Sequence, residues 1–263
     1  MRSQSEKAAA FRALHERPGA FIIPNPWDAG TAKLLAALGF EALATTSLGF
    51  ASALGRVDGT LSVSREELIA NCREIASATE LPVNADLENG YADDPDQAAT
   101  IIRSAADAGV VGGSIEDASG DEAKPLYDLG HATERIAAAV EAARAVPGGF
   151  VLTARSENFL RGKPDLDDTI RRLQAFERAG ADVLFAPGLP DLAAVRTVCS
   201  ALTKPLNFMV GIKGKSFSVA ELEEAGVRRI SLATSLYRAA MRGLLDAATE
   251  VKERGTFDYL NRL

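Results

Sequence analysis

The feature that most limits how this chain can fold is a series of eight short apolar segments that recur from one end to the other. Each segment is nearly continuously apolar instead of alternating, as is typical of parallel strands that are buried on both faces. The predicted strands are residues 21–24, 41–47, 81–86, 110–116, 150–155, 182–187, 205–210 and 228–234.

Helical patterns separate the predicted strands. Residues 29–40 and 167–182 form two of them, and each contains a glycine, Gly39 or Gly180, of the kind that ends a helix. Asp94 followed by proline marks the start of another helix. Strand and helix alternate eight times without a linker, so the 263 residues predict a single (β/α)8 barrel domain. A doubly wound open sheet is the alternative, which the lack of a GxGxxG sequence after the first strand weakens.

The charge balance and the cysteines narrow the classes of function. The formal net charge is −7, and no basic run is long enough to follow a nucleic-acid backbone. No apolar run approaches the roughly 18 residues that cross a membrane. The two cysteines lie far apart without CxxC spacing, which favours reduced thiols in the cytosol. We therefore expect a cytoplasmic enzyme or binding protein without a nucleic-acid or membrane partner.

Carboxylates lie at or just beyond the ends of the predicted strands, where (β/α)8 barrels carry their chemistry. Brought to one mouth, they would repel one another unless a divalent cation lay among them. Oxygen ligands suit a hard ion, so this pattern favours Mg²⁺ or Mn²⁺ over Zn²⁺. Separate, solvated loop acids are the alternative. The carboxylates concerned are Asp58, Asp86, Glu88 and Glu116.

A cation and several hydrogen-bonding groups are predicted at the same mouth. Arg155 ends the fifth strand, where its guanidinium either holds a substrate carboxylate or neutralises the acids. The turn after the second strand offers the hydroxyl of Ser47 and the amides of Leu48 and Gly49. Asn207 lies on the seventh strand. We therefore expect a small carboxylate to bind here.

Five segments, taken in their order along the chain, resemble the isocitrate lyase/phosphoenolpyruvate mutase superfamily. They read NPWDAGTAKLLAALGFEALATTSLGFA, LGRVDG, VNADLENGY, GGSIEDA and LTARSENF. The resemblance implies a Mg²⁺-dependent (β/α)8 barrel that makes or breaks a C–C or P–C bond beside a carboxylate, through a pyruvate-like enolate. It also implies that Asp86 binds the metal directly and that the other three carboxylates form a water-mediated shell. The turn after the second strand corresponds to the carboxylate pocket, and Arg155 to the arginine that grips the substrate.

The loop after the fourth strand, residues 118–129, departs from the superfamily. The isocitrate and methylisocitrate lyases carry a Lys-Lys-Cys-Gly-His loop there, and this chain has no cysteine in the region. We expect the loop to be a mobile lid, with Lys124 as its catalytic residue. The expected reaction is C–C cleavage of a small 2-oxo or 2-hydroxy acid. Oxaloacetate-type decarboxylation, P–C chemistry of the mutase kind and a non-catalytic carboxylate-binding barrel are the alternatives.

The last predicted helix and its tail, residues 235–260, bear on assembly. Apolar residues recur at helical spacing at Leu236, Ala240, Leu244 and Ala247. The stripe either covers the chain's own barrel or packs on a neighbour. Because the superfamily resemblance implies exchange of the last helix between subunits, we expect a homo-oligomer, a dimer or a tetramer.

Overall fold

Eight parallel strands form a barrel in a computed structural model that describes residues 2–57 and 62–262. The strands pair in the order β1-β8-β7-β6-β5-β4-β3-β2. The ring nearly closes between β1 and β2, where the Ala44 N–H donates to the Pro24 carbonyl at 3.0 Å. The (β/α)8 prediction is therefore confirmed and the open-sheet alternative is wrong. The strands are β1 Phe21–Ile23, β2 Leu43–Ala44, β3 Val83–Asp86, β4 Gly112–Glu116, β5 Val151–Arg155, β6 Val183–Phe185, β7 Leu206–Met209 and β8 Arg229–Ser231.

Helices follow the strands at the positions that local sequence signals predict. The Asp94 side chain accepts from the Gln97 N–H at 2.9 Å, with Pro95 in the first helical turn. Gly180 ends its helix in the left-handed region, at φ 103°. The helices are α1 Gln4–Glu16, α2 Ala29–Ala37, α3 Ser47–Ala53, α4 Arg65–Ser77, α5 Pro95–Asp107, α6 Leu129–Arg144, α7 Leu166–Ala179, α8 Leu192–Ser200, α9 Val219–Glu224 and α10 Ser235–Arg254, with a 3₁₀ turn over Asp258–Arg262.

The inside of the barrel changes from apolar to polar along its axis. At the N-terminal end of the strands, Phe11 and Leu14 of α1 pack against Phe21, Val151 and Val183. This cluster closes that end of the barrel with apolar contacts. Towards the other end the interior side chains become polar or charged, and this is the end at which (β/α)8 barrels carry their catalytic residues.

Helix α10 packs little on the rest of the described chain. Its one buried residue is Glu250. Leu244 and Leu245 are each 61% exposed, whereas Leu236 at the start of the helix lies against the core. The predicted exchange of this helix between subunits stays a prediction. Among the described residues, no helix combines the length and apolar character needed to cross a membrane.

Candidate active site

A cavity of about 400 Å³ opens at the C-terminal ends of the strands. Five of the predicted site residues line it, namely Ser47, Leu48, Asp86, Arg155 and Asn207. They come from four separate strand ends or turns, and parallel strands in a barrel bring those ends to one mouth. The sequence interpretation therefore named five of the residues that line this cavity.

Asp86 is the centre of the first group of contacts. Its Oδ2 accepts a hydrogen bond from the Ser47 hydroxyl at 3.0 Å and from the Ser47 N–H at 3.3 Å. Its own N–H donates to the hydroxyl of Thr45 at 2.9 Å. The amide of Gly49 is engaged elsewhere, because it donates to the Thr46 hydroxyl that begins α3. Asp86 is thus held in place by the turn that was predicted to bind a carboxylate.

Arg155 lies among the carboxylates, where a cation was expected. Its Nη1 is 3.3 Å from Glu116 Oε2 and 3.7 Å from Asp86 Oδ1, and its Nε is 2.6 Å from Glu157 Oε1. A second arginine, Arg161, contacts Glu157 Oε2 at 3.0 Å and Glu116 Oε1 at 3.1 Å. We call these five residues, Asp86, Glu116, Arg155, Glu157 and Arg161, the mouth cluster.

Glu157 and Arg161 were missed by the sequence interpretation. Glu157 is only 1% exposed, and Arg161 lines the cavity. The signal was present in the sequence: an acid and a base four residues apart come directly after the fifth strand. Helical geometry in that turn, in which the Arg161 N–H donates to the Glu157 carbonyl at 3.0 Å, lets their side chains meet.

The mouth cluster carries three carboxylates against two guanidiniums. Burial, followed by repulsion from Glu157, raises the pKa of Glu116 from 4.5 to about 8, although Arg155 and Arg161 oppose the rise. Burial alone would lower the pKa of Arg155, but Glu157, Glu116 and Asp86 together raise it. The guanidinium is therefore charged throughout the physiological range, and negative charge exceeds positive charge in the cluster only once Glu116 has lost its proton.

The donor chemistry of the mouth cluster fits a hard divalent cation, because its carboxylates offer oxygen ligands. A ready-made cluster is not present: within residues 2–57 and 62–262, no three His, Cys, Asp or Glu side chains converge as metal ligands do. Asp58 lies outside the described residues. Glu88, with φ 49°, accepts a hydrogen bond from the Tyr91 hydroxyl at 3.2 Å. The metal assignment stays a prediction.

The predicted lid contains a short antiparallel bridge between Ala118 and Leu126. The Ser119 N–H donates to the Pro125 carbonyl at 3.1 Å, which holds the loop in a hairpin. Lys124 lines a second cavity that also contacts Asn158 and Asp168, and it is not among the residues that line the mouth. Its role in a moving lid is still a prediction.

Asn207 lies deeper in the cavity than the mouth cluster. Its Oδ1 accepts from Arg229 Nε at 2.8 Å, and its Nδ2 donates to the Ser231 hydroxyl at 3.0 Å. Arg229 is a third arginine of the cavity wall, after Arg155 and Arg161, and the sequence interpretation did not single it out. The predicted contact of Asn207 with substrate stays untested.

The fold and this site define a class: (β/α)8 barrels with a polar cavity at the strand ends, bordered by carboxylates and arginines. Comparison with known families places the chain within that class. A family model described as phosphoenolpyruvate phosphomutase matches residues 11–252, and the chain belongs to this family. The superfamily that the five sequence segments predicted is therefore confirmed.

Solved structures and curated relatives agree with this family. A Burkholderia cenocepacia protein, provisionally described as a lyase/mutase, is 52% identical with a TM-score of 0.96, over 99% of this chain and 92% of that one. The structure of 2,3-dimethylmalate lyase is 29% identical with a TM-score of 0.86, covering 98% of this chain and 90% of that one. A Corynebacterium glutamicum protein described as a probable 2-methylisocitrate lyase is 30% identical over 97% of this chain and 85% of its own length. The chain thus belongs to a superfamily of lyases and mutases.

Proposed function

We propose that the protein is a lyase that cleaves a C–C bond of a small 2-oxo or 2-hydroxy carboxylic acid, with Mg²⁺ or Mn²⁺ as cofactor and an enolate as intermediate. The observation that carries the proposal is the mouth cluster, in which Arg155 and Asp86 share the cavity wall with Ser47. The similarity to proteins described as a probable 2-methylisocitrate lyase and a 2,3-dimethylmalate lyase supports a lyase reaction.

Asp86 would hold the cation directly, and Glu116, Glu88 and Asp58 would hold its water ligands. When bound, a divalent cation would polarise the oxygen on C2 of the substrate as a Lewis acid. It would also favour loss of the proton from Glu116, whose pKa is raised by burial and then by repulsion from Glu157.

The chain's own groups would bind and orient the substrate carboxylate. The hydroxyl of Ser47, the amide of Leu48 and the guanidinium of Arg155 form the proposed pocket, with Asn207 below it. The amide of Gly49, also predicted to take part, donates to the Thr46 hydroxyl and would have to leave it to reach a substrate. A guanidinium that stays charged can hold a carboxylate with two parallel hydrogen bonds, which sets the plane of the acid group. Fixing that plane aligns the bond to C3 for cleavage.

Water must be kept from the enolate, because a proton from solvent would quench it before the second product leaves. The loop over residues 118–129 is the proposed lid, and Lys124 is its proposed catalytic residue. Closure of such loops both excludes water and completes the catalytic set. To close over the mouth, the loop would have to leave the separate cavity that Lys124 lines together with Asn158.

The test is a panel of 2-oxo and 2-hydroxy diacids, assayed for pyruvate or a related 2-oxo acid with Mg²⁺ and with EDTA. We expect Mg²⁺-dependent release from at least one diacid, lost in Asp86→Asn and kept in the matched variant Asp107→Asn. Asp107 is exposed and does not line the cavity. If CO₂ and a 2-oxo acid are the two products, the protein is a decarboxylase. Tight binding by calorimetry without any product would identify a non-catalytic carboxylate-binding barrel.

Assembly and compartment complete the proposal. The exposed apolar face of α10, with Leu244 and Leu245, supports a homo-oligomer in which this helix packs on a neighbouring subunit. Net charge and reduced cysteines support a cytoplasmic protein that needs no nucleic acid or membrane. The partner of the site is a small carboxylate.

A further inference from the structure

Arg229 is a buried cation that the proposed reaction does not use. It begins β8, is 3% exposed, and forms the inner wall of the cavity below the mouth cluster. Its Nε donates to Asn207 Oδ1 at 2.8 Å and its Nη2 donates to Thr153 Oγ1 at 3.0 Å. Its Nη1 lies 3.4 Å from His15 Nε2.

All three partners of this guanidinium are neutral. Asn207 and Thr153 carry no charge. His15 is neutral as well, because burial and then repulsion from Arg229 lower its pKa from 6.5 to about 3. Its Nδ1 lies 2.8 Å from the Phe11 carbonyl. That carbonyl can only accept, so Nδ1 carries the proton and Nε2 is left as an acceptor for Arg229.

No carboxylate compensates the charge of Arg229. Among the described residues, none of the Asp or Glu side chains forms an ion pair with it. Burial lowers the pKa of Arg229, and no carboxylate offsets this effect. Taking a charge out of water without a partner costs several kcal/mol, so an unpaired buried guanidinium is a strong point of attraction for an anion.

The cavity reaches this charge and is polar around it. Asn84, Ser114 and Ser231 also line this cavity. Asn84 is 5% exposed, and its Oδ1 has no hydrogen-bond partner within the described residues. Because an amide oxygen only accepts hydrogen bonds, a donor such as a water that accompanies a ligand would complete the hydrogen bonding of Asn84.

The inner wall is a different layer from the mouth. Asn84 precedes Asp86 by two residues on β3, which separates the two side chains by roughly 6.6 Å along the strand. A ligand at the inner wall therefore meets arginine, amide and hydroxyl groups instead of the carboxylates of the mouth cluster.

We propose that the inner wall of the barrel cavity is a binding site for a small monovalent anion, held by the guanidinium of Arg229. One negative charge balances the guanidinium. Of its five N–H groups, three point to the neutral acceptors Asn207, His15 and Thr153, which leaves two to donate to the anion. A halide ion and the second carboxylate of a diacid share this chemistry. The proposal does not depend on the lyase reaction.

Two measurements on the whole wild-type protein test the site without any turnover. Crystals soaked in sodium bromide should show an anomalous peak within hydrogen-bond reach of the Arg229 guanidinium. In solution, chloride should raise Tm saturably relative to gluconate at equal ionic strength. The expected rise is roughly 5–10 °C when chloride is about 100 times its Kd. Equal Tm values in the two salts, or no bromide peak at Arg229, would overturn the proposal.

Variants assign the effect to one residue. Arg229→Gln should abolish the chloride-specific rise in Tm. The matched variant Arg228→Gln removes the same charge one residue away, on the wall of a different cavity, and should retain the rise. A chloride effect that persists in Arg229→Gln refutes the site. If that variant does not fold, the bromide peak and the salt comparison on the wild type still decide.

A diacid distinguishes the two sources of the anion. Succinate added to bromide-soaked crystals should displace bromide if the site takes a ligand carboxylate. Bromide that stays at full occupancy while succinate binds at the mouth assigns the site to an inorganic anion. Because the assay detects binding only, failure of the lyase proposal in the diacid panel leaves this result intact.

Discussion

Replacing Arg155 by methionine tests whether the mouth cluster is organised as the structure shows. Arg155→Met keeps an unbranched side chain of similar length but leaves the buried carboxylates of Glu116 and Glu157 with Arg161 alone. Removing one partner of a buried ion pair costs about 3–5 kcal/mol. Arg161 is 35% exposed and keeps both carboxylates paired, so we expect the lower end, about 3 kcal/mol in the free energy of unfolding.

The cost should depend on pH in a defined direction. Burial raises the folded pKa of Glu116 from 4.5 to about 8, so between these values the folded protein keeps a proton that the unfolded chain has lost. This group's contribution to stability therefore falls as pH rises through that window. Without Arg155, which lowers the pKa of Glu116, the loss continues above pH 8. From pH about 8 to about 9 the variant should lose up to about 1.4 kcal/mol and the wild type about 0.4 kcal/mol, so the difference between them should grow by up to about 1 kcal/mol.

Urea denaturation followed by circular dichroism, in EDTA and at fixed protein concentration, measures these free energies. Arg155→Met combined with Glu116→Gln should lose the pH dependence. The control is Arg17→Met, which breaks an exposed pair with Glu41 and should cost less than about 1 kcal/mol at either pH. A cost for Arg155→Met that equals this control, or that is the same at both pH values, refutes the reasoning.

Four further outcomes are expected from the site and the helix. Asp86→Ala should abolish Mg²⁺-dependent binding of pyruvate in calorimetry; unchanged affinity contradicts the metal assignment. Mg²⁺ affinity should rise up to about tenfold per pH unit as pH approaches 8, because Glu116 must release its proton, and a flat titration contradicts this. Lys124→Ala should lower turnover roughly 100-fold without weakening Mg²⁺ binding; unchanged turnover removes Lys124 from the lid's chemistry. Leu244→Glu with Leu245→Glu should dissociate the oligomer in light scattering, whereas a monomeric wild type rules out exchange of α10.

Local signals account for how well the fold was predicted. Continuous apolar segments cannot be exposed on either face, so they indicate parallel strands wherever they occur. The helix start at Asp94 and the helix end at Gly180 depend on hydrogen bonds and φ values within a few residues. Strand bounds were predicted within three residues of those observed, with the largest differences at the C-terminal ends of β2 and β8, because tertiary hydrogen bonds decide where a strand ends.

The site was predicted in part for the same reason. The end of a strand can be read locally, so Asp86 and Arg155 were correctly placed at the mouth. Which partner each side chain selects cannot be read locally. Arg155 lies between Asp86 and Glu116, where a metal ion was expected, and Glu157 completes its hydrogen bonds.

By itself the sequence determined the barrel and its family, because both follow from patterns within short segments. The tertiary structure alone decided which charges are compensated. Arg229 and Thr153 are 76 residues apart and His15 is 214 residues from Arg229, yet strand stagger and the closing helix α1 bring them together. In the barrel interior, where the dielectric constant is low, a charged side chain interacts strongly with groups within a few ångströms of it. Which groups those are depends on how deep the side chain lies in the barrel and not on its neighbours in the chain.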